Sequence, residues 1–113
     1  MMDAQQILEQ FILWSHKGGK GTPECARPGY TYGNDEPNRI FITDETALSV
    51  DKRIAELARS WQHSTHDWRT PIEWKEVRLC NASPYQRAER LGMKIAMYRA
   101  RMRTFEQFII NNL

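Results

Sequence analysis

Apolar residues recur along this chain at steps of three and four, the spacing of one helix face. Four stretches show it. In the first, Ile7, Leu8, Phe11 and Trp14 form a stripe. Asp3 stands before it with Gln6 three residues later, the pairing of a capping box, so a helix is expected from about Ala4 to Ser15. In the second, Thr43 is a good N-cap. Asp44 and Glu45 follow in the first turn, where the helix dipole favours acids. Ala47, Val50, Ile54, Leu57, Ala58 and Trp61 then continue the pattern to about His63. The polar run QHSTHDWR breaks it. Thr70-Pro71-Ile72-Glu73 reads as a third start, with Thr70 as N-cap, Pro71 at the first helical position and Glu73 closing a capping box. That helix carries Trp74, Val77 and Leu79 and ends near Cys80. Asn81, which tolerates the left-handed conformation, follows.

Ser83-Pro84-Tyr85-Gln86 repeats the start signal, so a short helix is expected to Leu91. Gly92 then supplies the positive φ of a tight turn. A long helix runs from there to the C-terminus. Its stripe is Ile95, Tyr98, Met102, Phe105 and Ile109, in steps of 3, 4, 3 and 4. At about 100° per residue, the opposite face is Ala96, Arg99, Ala100 and Arg103, with Lys94 nearer the edge. Ala88, four residues before the glycine, is small enough to let two helices approach closely. These features in one register predict a helix-turn-helix at about 83–110. Arg87 occupies a place of the first helix that is commonly apolar, and is expected to extend its head to the surface.

Between the first two helices the composition changes. Five of the six glycines (18, 19, 21, 29 and 33) and three of the five prolines (23, 28 and 37) fall between Lys17 and Phe41. A long loop is expected over residues 17–42, with room for a small hairpin between Tyr30–Tyr32 and Arg39–Ile42. Loops of more than ~15 residues are uncommon in compact domains. KGGKGT does not satisfy the phosphate-loop pattern GxxxxGK[ST]. The whole chain therefore reads as one all-α domain, 1–113. It has an N-terminal helix over 1–16, the long loop, and a helical core over 43–113.

With 113 residues the chain is long enough for one core and too short for two ordinary domains. Its net charge of +2 says little, but the distribution says more. Residues 84–113 hold Arg87, Arg90, Lys94, Arg99, Arg101 and Arg103 against only Glu89 and Glu106. Such a split between halves points to nucleic acid. Two alanines between arginines let a backbone lie close to a groove, and a guanidinium matches guanine O6 and N7 or phosphate oxygens. The expected DNA-binding residues are Gln86, Arg90, Lys94, Ala96, Arg99, Ala100 and Arg103. The start of the short helix, around Ser83 to Gln86, is a further place for a phosphate. A solvated basic face is the plainer alternative, since alanine and arginine are also good helix formers.

Other chemistry is sparse. There is no serine elbow, HExxH or glycine-rich nucleotide fingerprint, so no enzyme is expected. Cys25, His63, His66 and Cys80 match no standard zinc spacing, so no metal or other cofactor is expected. Trp14, Trp61 and Trp74 fit apolar stripes. Trp68, in a polar stretch, is the exception. The opening MMDAQQILEQ has no basic segment leading into a long apolar run, and no window suits a transmembrane helix. No membrane association is expected. A cytoplasmic protein with both thiols reduced is expected.

Three blocks carry a family resemblance: DAQQILEQFILW, ITDETALSVDKRIAEL, and WKEVRLCNASPYQRAERLGMKIAMYRARMRTFEQFI. Their order and the total length resemble the phage late-gene antitermination Q proteins, in the group typified by lambdoid phage 21. The family usually has an aromatic residue and a glycine before the second helix of its motif, where this chain has Leu79, Cys80 and Asn81. The loop from Lys17 to Phe41 has no counterpart. The resemblance implies a C-terminal trihelical unit like sigma region 4. It implies a transcription antiterminator of a phage or prophage, acting in the cytoplasm of the bacterial host. Such proteins bind double-stranded DNA near the late promoter, load onto bacterial RNA polymerase with its sigma factor, and make it ignore terminators. Two other functions fit the residues: a helix-turn-helix regulator of initiation, and a helical interaction protein that binds a host factor without DNA.

Overall fold

A computed structural model of the chain describes residues 2–16 and 40–113. Among these the secondary structure is entirely helical, in the order α1 (Ala4–His16), α2 (Asp44–Thr65), α3 (Arg69–Leu79), α4 (Pro84–Arg90) and α5 (Ile95–Asn112). The fold class is all-α, as the periodicity requires. Most of the proposed loop, and the Tyr30–Tyr32 arm of the proposed hairpin, lie outside the described residues. Ile40 to Ile42 are not in a strand.

The helix starts follow the capping chemistry in three of the five cases. The Asp3 and Gln6 side chains exchange hydrogen bonds with each other's backbone N–H, at 3.0 and 2.8 Å. Thr43 Oγ1 accepts from the Thr46 N–H and Ser83 Oγ accepts from the Gln86 N–H. A cap of this kind is worth about 1 kcal/mol. The start of α3 is a correction. Its N-cap is Trp68, and Thr70 is already helical. Asp67 does the capping: its Oδ1 accepts from the Arg69 and Thr70 N–H groups, and its Oδ2 from the Thr70 hydroxyl. The start two residues earlier leaves Thr70 buried and frees Glu73 for another role.

Each expected stripe faces the core. Leu8, Phe11 and Trp14 of α1 meet Ala47, Val50, Ile54 and Leu57 of α2, Trp74 and Leu79 of α3, and Tyr98, Met102, Phe105 and Ile109 of α5. An aromatic cluster holds the middle. Phe105 makes edge contacts with Trp61 and Trp74, at centroid distances of 5.3 and 5.8 Å. Offset and edge arrangements of this kind add about 0.5–1.5 kcal/mol per pair beyond burial. The Trp14 indole donates to Asp44 Oδ1 at 2.9 Å, which ties the end of α1 to the start of α2. α5 contacts all four other helices to some degree and most extensively packs on α3 and α4.

Cys80, the C-cap of α3, is disulfide-bonded. This corrects the expectation of a reduced thiol there. No described helix is long and apolar enough to cross a membrane.

Candidate nucleic-acid interface

α4 and α5 are joined by the turn Leu91–Lys94. Its geometry follows from two residues. Ala88 is only 2% exposed, at the point where α4 meets the core. Its carbonyl accepts from the Met93 N–H at 2.9 Å, while Glu89 accepts from Gly92 at 3.0 Å. Gly92 has φ +69°, and a Cβ placed there meets nothing within 4 Å. Glycine is needed for its backbone conformation, not for space. Asn81, at φ 57°, makes the equivalent left-handed step between α3 and α4, as expected.

All seven expected contact residues are exposed: Gln86 and Arg90 from α4, Lys94 from the turn, and Ala96, Arg99, Ala100 and Arg103 from α5. Those on α5 lie opposite its buried stripe. Arg90, Lys94 and Arg103 have no ion pair among the described residues. Lys94 is the N-cap of α5 and its side chain accepts nothing from the helix. A cation beside the positive end of a helix dipole is mildly unfavourable, by a few tenths of a kcal/mol, until an anion arrives.

The start of α4 is less suited to a phosphate than expected. Pro84 has no N–H, and the Gln86 and Arg87 N–H groups are taken by Ser83. One α4 residue missed in the sequence, Tyr85, joins the face. It is 59% exposed, and its ring centroid lies 5.0 Å from the Arg99 guanidinium carbon. Arg99 Nη2 donates to the Tyr85 hydroxyl at 3.1 Å. The pair is separated by 14 residues, so no local spacing rule could find it.

Two other basic residues are withdrawn from the face. Arg87 does not extend into solvent. It turns inward and makes two hydrogen bonds to the Glu73 carboxylate, with side chains only 19% and 14% exposed. Tyr98 of α5 donates to the same carboxylate at 2.9 Å, so Glu73 joins α3, α4 and α5 at one point. Burial alone would raise the Glu73 pKa. The hydrogen bonds from Arg87 and Tyr98 and the positive charges of Arg87 and Arg90 outweigh it and lower the pKa. Burial, with the hydrogen bond to Glu73 and its charge, raises the Tyr98 phenol. Arg101 pairs with Asp67 at 2.7 Å. Burial would raise Asp67 too, but hydrogen bonds from Thr70 and Arg101 and the Arg101 charge hold it down to about 2.

Trp68 is exposed, with the Arg69 guanidinium 5.3 Å from its ring. His63 and His66 are also exposed, and no cluster of three or more possible metal ligands occurs among the described residues. No protein-family model, curated protein or solved structure matches the chain.

Proposed function

We propose that this chain is a DNA-binding transcription antitermination factor of a phage or prophage. In this account α4 and α5 form a helix-turn-helix, and α5 lies in the major groove. The observation that carries DNA binding is the outward face of α4 and α5. It presents Gln86, Arg90, Lys94, Ala96, Arg99, Ala100 and Arg103 to solvent, and three of its cations have no ion pair among the described residues. Small alanines beside long arginines suit close approach to a duplex. Loading onto bacterial RNA polymerase with its sigma factor, and read-through of terminators, rest on the resemblance to the Q proteins.

The test is transcription in vitro by bacterial RNA polymerase holoenzyme. The template would carry a phage late promoter region upstream of a distant terminator. Read-through that requires the promoter-proximal DNA supports antitermination. A changed rate of initiation with ordinary termination assigns the protein to initiation control instead. The Arg99→Ala, Arg103→Ala double variant should lose either effect, because it removes two cations of the face and a single bidentate base contact is alone worth about 1–3 kcal/mol. If the double variant acts as the parent does, the face is wrongly assigned.

A further inference from the structure

The exposed cations of the α4–α5 face are not equivalent. Arg90, Lys94 and Arg103 are held by no ion pair among the described residues. Arg99 is held by Tyr85 in two ways at once. The aromatic ring lies beside its guanidinium, and the hydroxyl accepts from Nη2 at 3.1 Å. Both residues are exposed, so this contact lies on the face and not beneath it. A guanidinium has five N–H donors. The tyrosine uses one, and four remain for a ligand.

Fixing a long side chain in advance matters most where geometry is demanding. A phosphate accepts a cation from many directions, so a mobile lysine or arginine serves it well. A guanine edge offers O6 and N7 at one spacing and in one plane, and a planar fork must meet them squarely. An arginine ordered before binding gives up less rotamer freedom when it does so. Tyr85 reaches Arg99 from the other helix of the pair, so the fork's direction is set by the α4–α5 geometry.

Resting on the DNA-binding role proposed above, we infer that Arg99 is the specificity-determining residue, reading one guanine of a DNA duplex. Tyr85 is its positioning residue. Arg90, Lys94 and Arg103 contact phosphates and carry affinity without sequence information. The DNA element then has a G·C pair at the base step facing Arg99. Replacing that pair is the single most damaging change in the half of the site that α5 covers.

The experiment uses the full chain and a pool of random-sequence DNA duplexes, enriched by repeated binding and sequenced. The parent protein should enrich a motif containing a fixed guanine. Arg99→Ala should erase the preference at that one position. Tyr85→Ala should lower it by roughly tenfold, within the range one bidentate contact supplies, and leave the other positions unchanged. Tyr85→Phe keeps the ring and should recover part of the preference. Arg103→Ala should weaken binding to all sequences alike.

In the free protein, the Arg99 side-chain N–H should be less mobile by NMR relaxation than that of Arg103, and Tyr85→Ala should remove the difference. Equal mobility in the parent overturns the positioning role. So does a Tyr85→Ala variant that binds every sequence uniformly more weakly, or that gains preference. Duplex binding with no enriched motif overturns the inference and leaves DNA binding standing. No salt-dependent duplex binding at all overturns both.

Discussion

The arginines of the C-terminal region fall into two groups that differ in exposure and in what lies opposite them. Arg87 and Arg101 each meet a carboxylate of the α3 region, Glu73 and Asp67. Arg90 and Arg103 make no ion pair among the described residues, and Arg99 meets a tyrosine. The first group is spent on the fold. It locks α4 and α5 against α3, and so fixes the angle at which the outer face is presented. The second group points outward, and in the function proposed above it contacts DNA. A basic stretch can thus contain both the frame of a site and its contacts, and counting charges does not separate them.

The largest effect expected on the frame comes from Glu73. Glu73→Ala strands a largely buried guanidinium and removes the acceptor of the Tyr98 hydroxyl. Breaking a fully buried pair costs 3–5 kcal/mol; this one is partly exposed, so about 2–3 kcal/mol is expected. Urea unfolding would measure it. Arg103→Ala, by contrast, should change stability by less than about 0.5 kcal/mol. If the two variants lost equal stability, the division between frame and contacts would fail.

Gly92→Ala should come next. With nothing near the added methyl group, its cost is the left-handed backbone alone, about 1–2 kcal/mol. Gly92→Asn should lose less, since asparagine visits that conformation more readily. Equal losses for the two would point to a steric cause that the geometry does not show.

A smaller effect separates the frame by pH. Asp67 is held down to about 2 against an ordinary value of 3.8. A depressed carboxylate contributes stability that is fully present above its unfolded pKa. That stability is lost as pH falls from near 3.8 through about 2. Asp67→Asn should therefore be less stable than the parent at neutral pH. The gap should narrow in acid, across that window, in urea titrations at a series of pH values. A gap independent of pH would mean that the Asp67 charge contributes nothing.

The frame and the contacts were not equally legible in the sequence. The stripe through Tyr98, Met102, Phe105 and Ile109 was readable because helical period alone decides which side is buried. The roles of Ala88, Gly92 and Asn81 were readable because each answers a local steric demand. The exposure of Ala96, Arg99, Ala100 and Arg103 followed from the same wheel. What the sequence hid depends on distant partners. Glu73 looked like a capping residue because its spacing from Thr70 is right. Its actual partners, Arg87 and Tyr98, are 14 and 25 residues away. Asp67 lies in a polar stretch that nothing local marks, yet it caps α3 and binds Arg101, 34 residues on. Tyr85 is locally just part of a helix start, and nothing nearby in the sequence marks its approach to Arg99.

The most direct test of DNA binding by the α4–α5 face is the salt dependence of duplex binding, for the parent and for the variant Arg90→Ala, Lys94→Ala, Arg103→Ala. Neutralising phosphates releases counterions, so log affinity falls with log salt by ~0.9 for each phosphate contacted. A DNA-binding face requires measurable binding by the parent at moderate ionic strength. It also requires a slope shallower by roughly two to three in the triple variant, with the folded state intact. An unchanged slope, or no duplex binding by the parent, would contradict it.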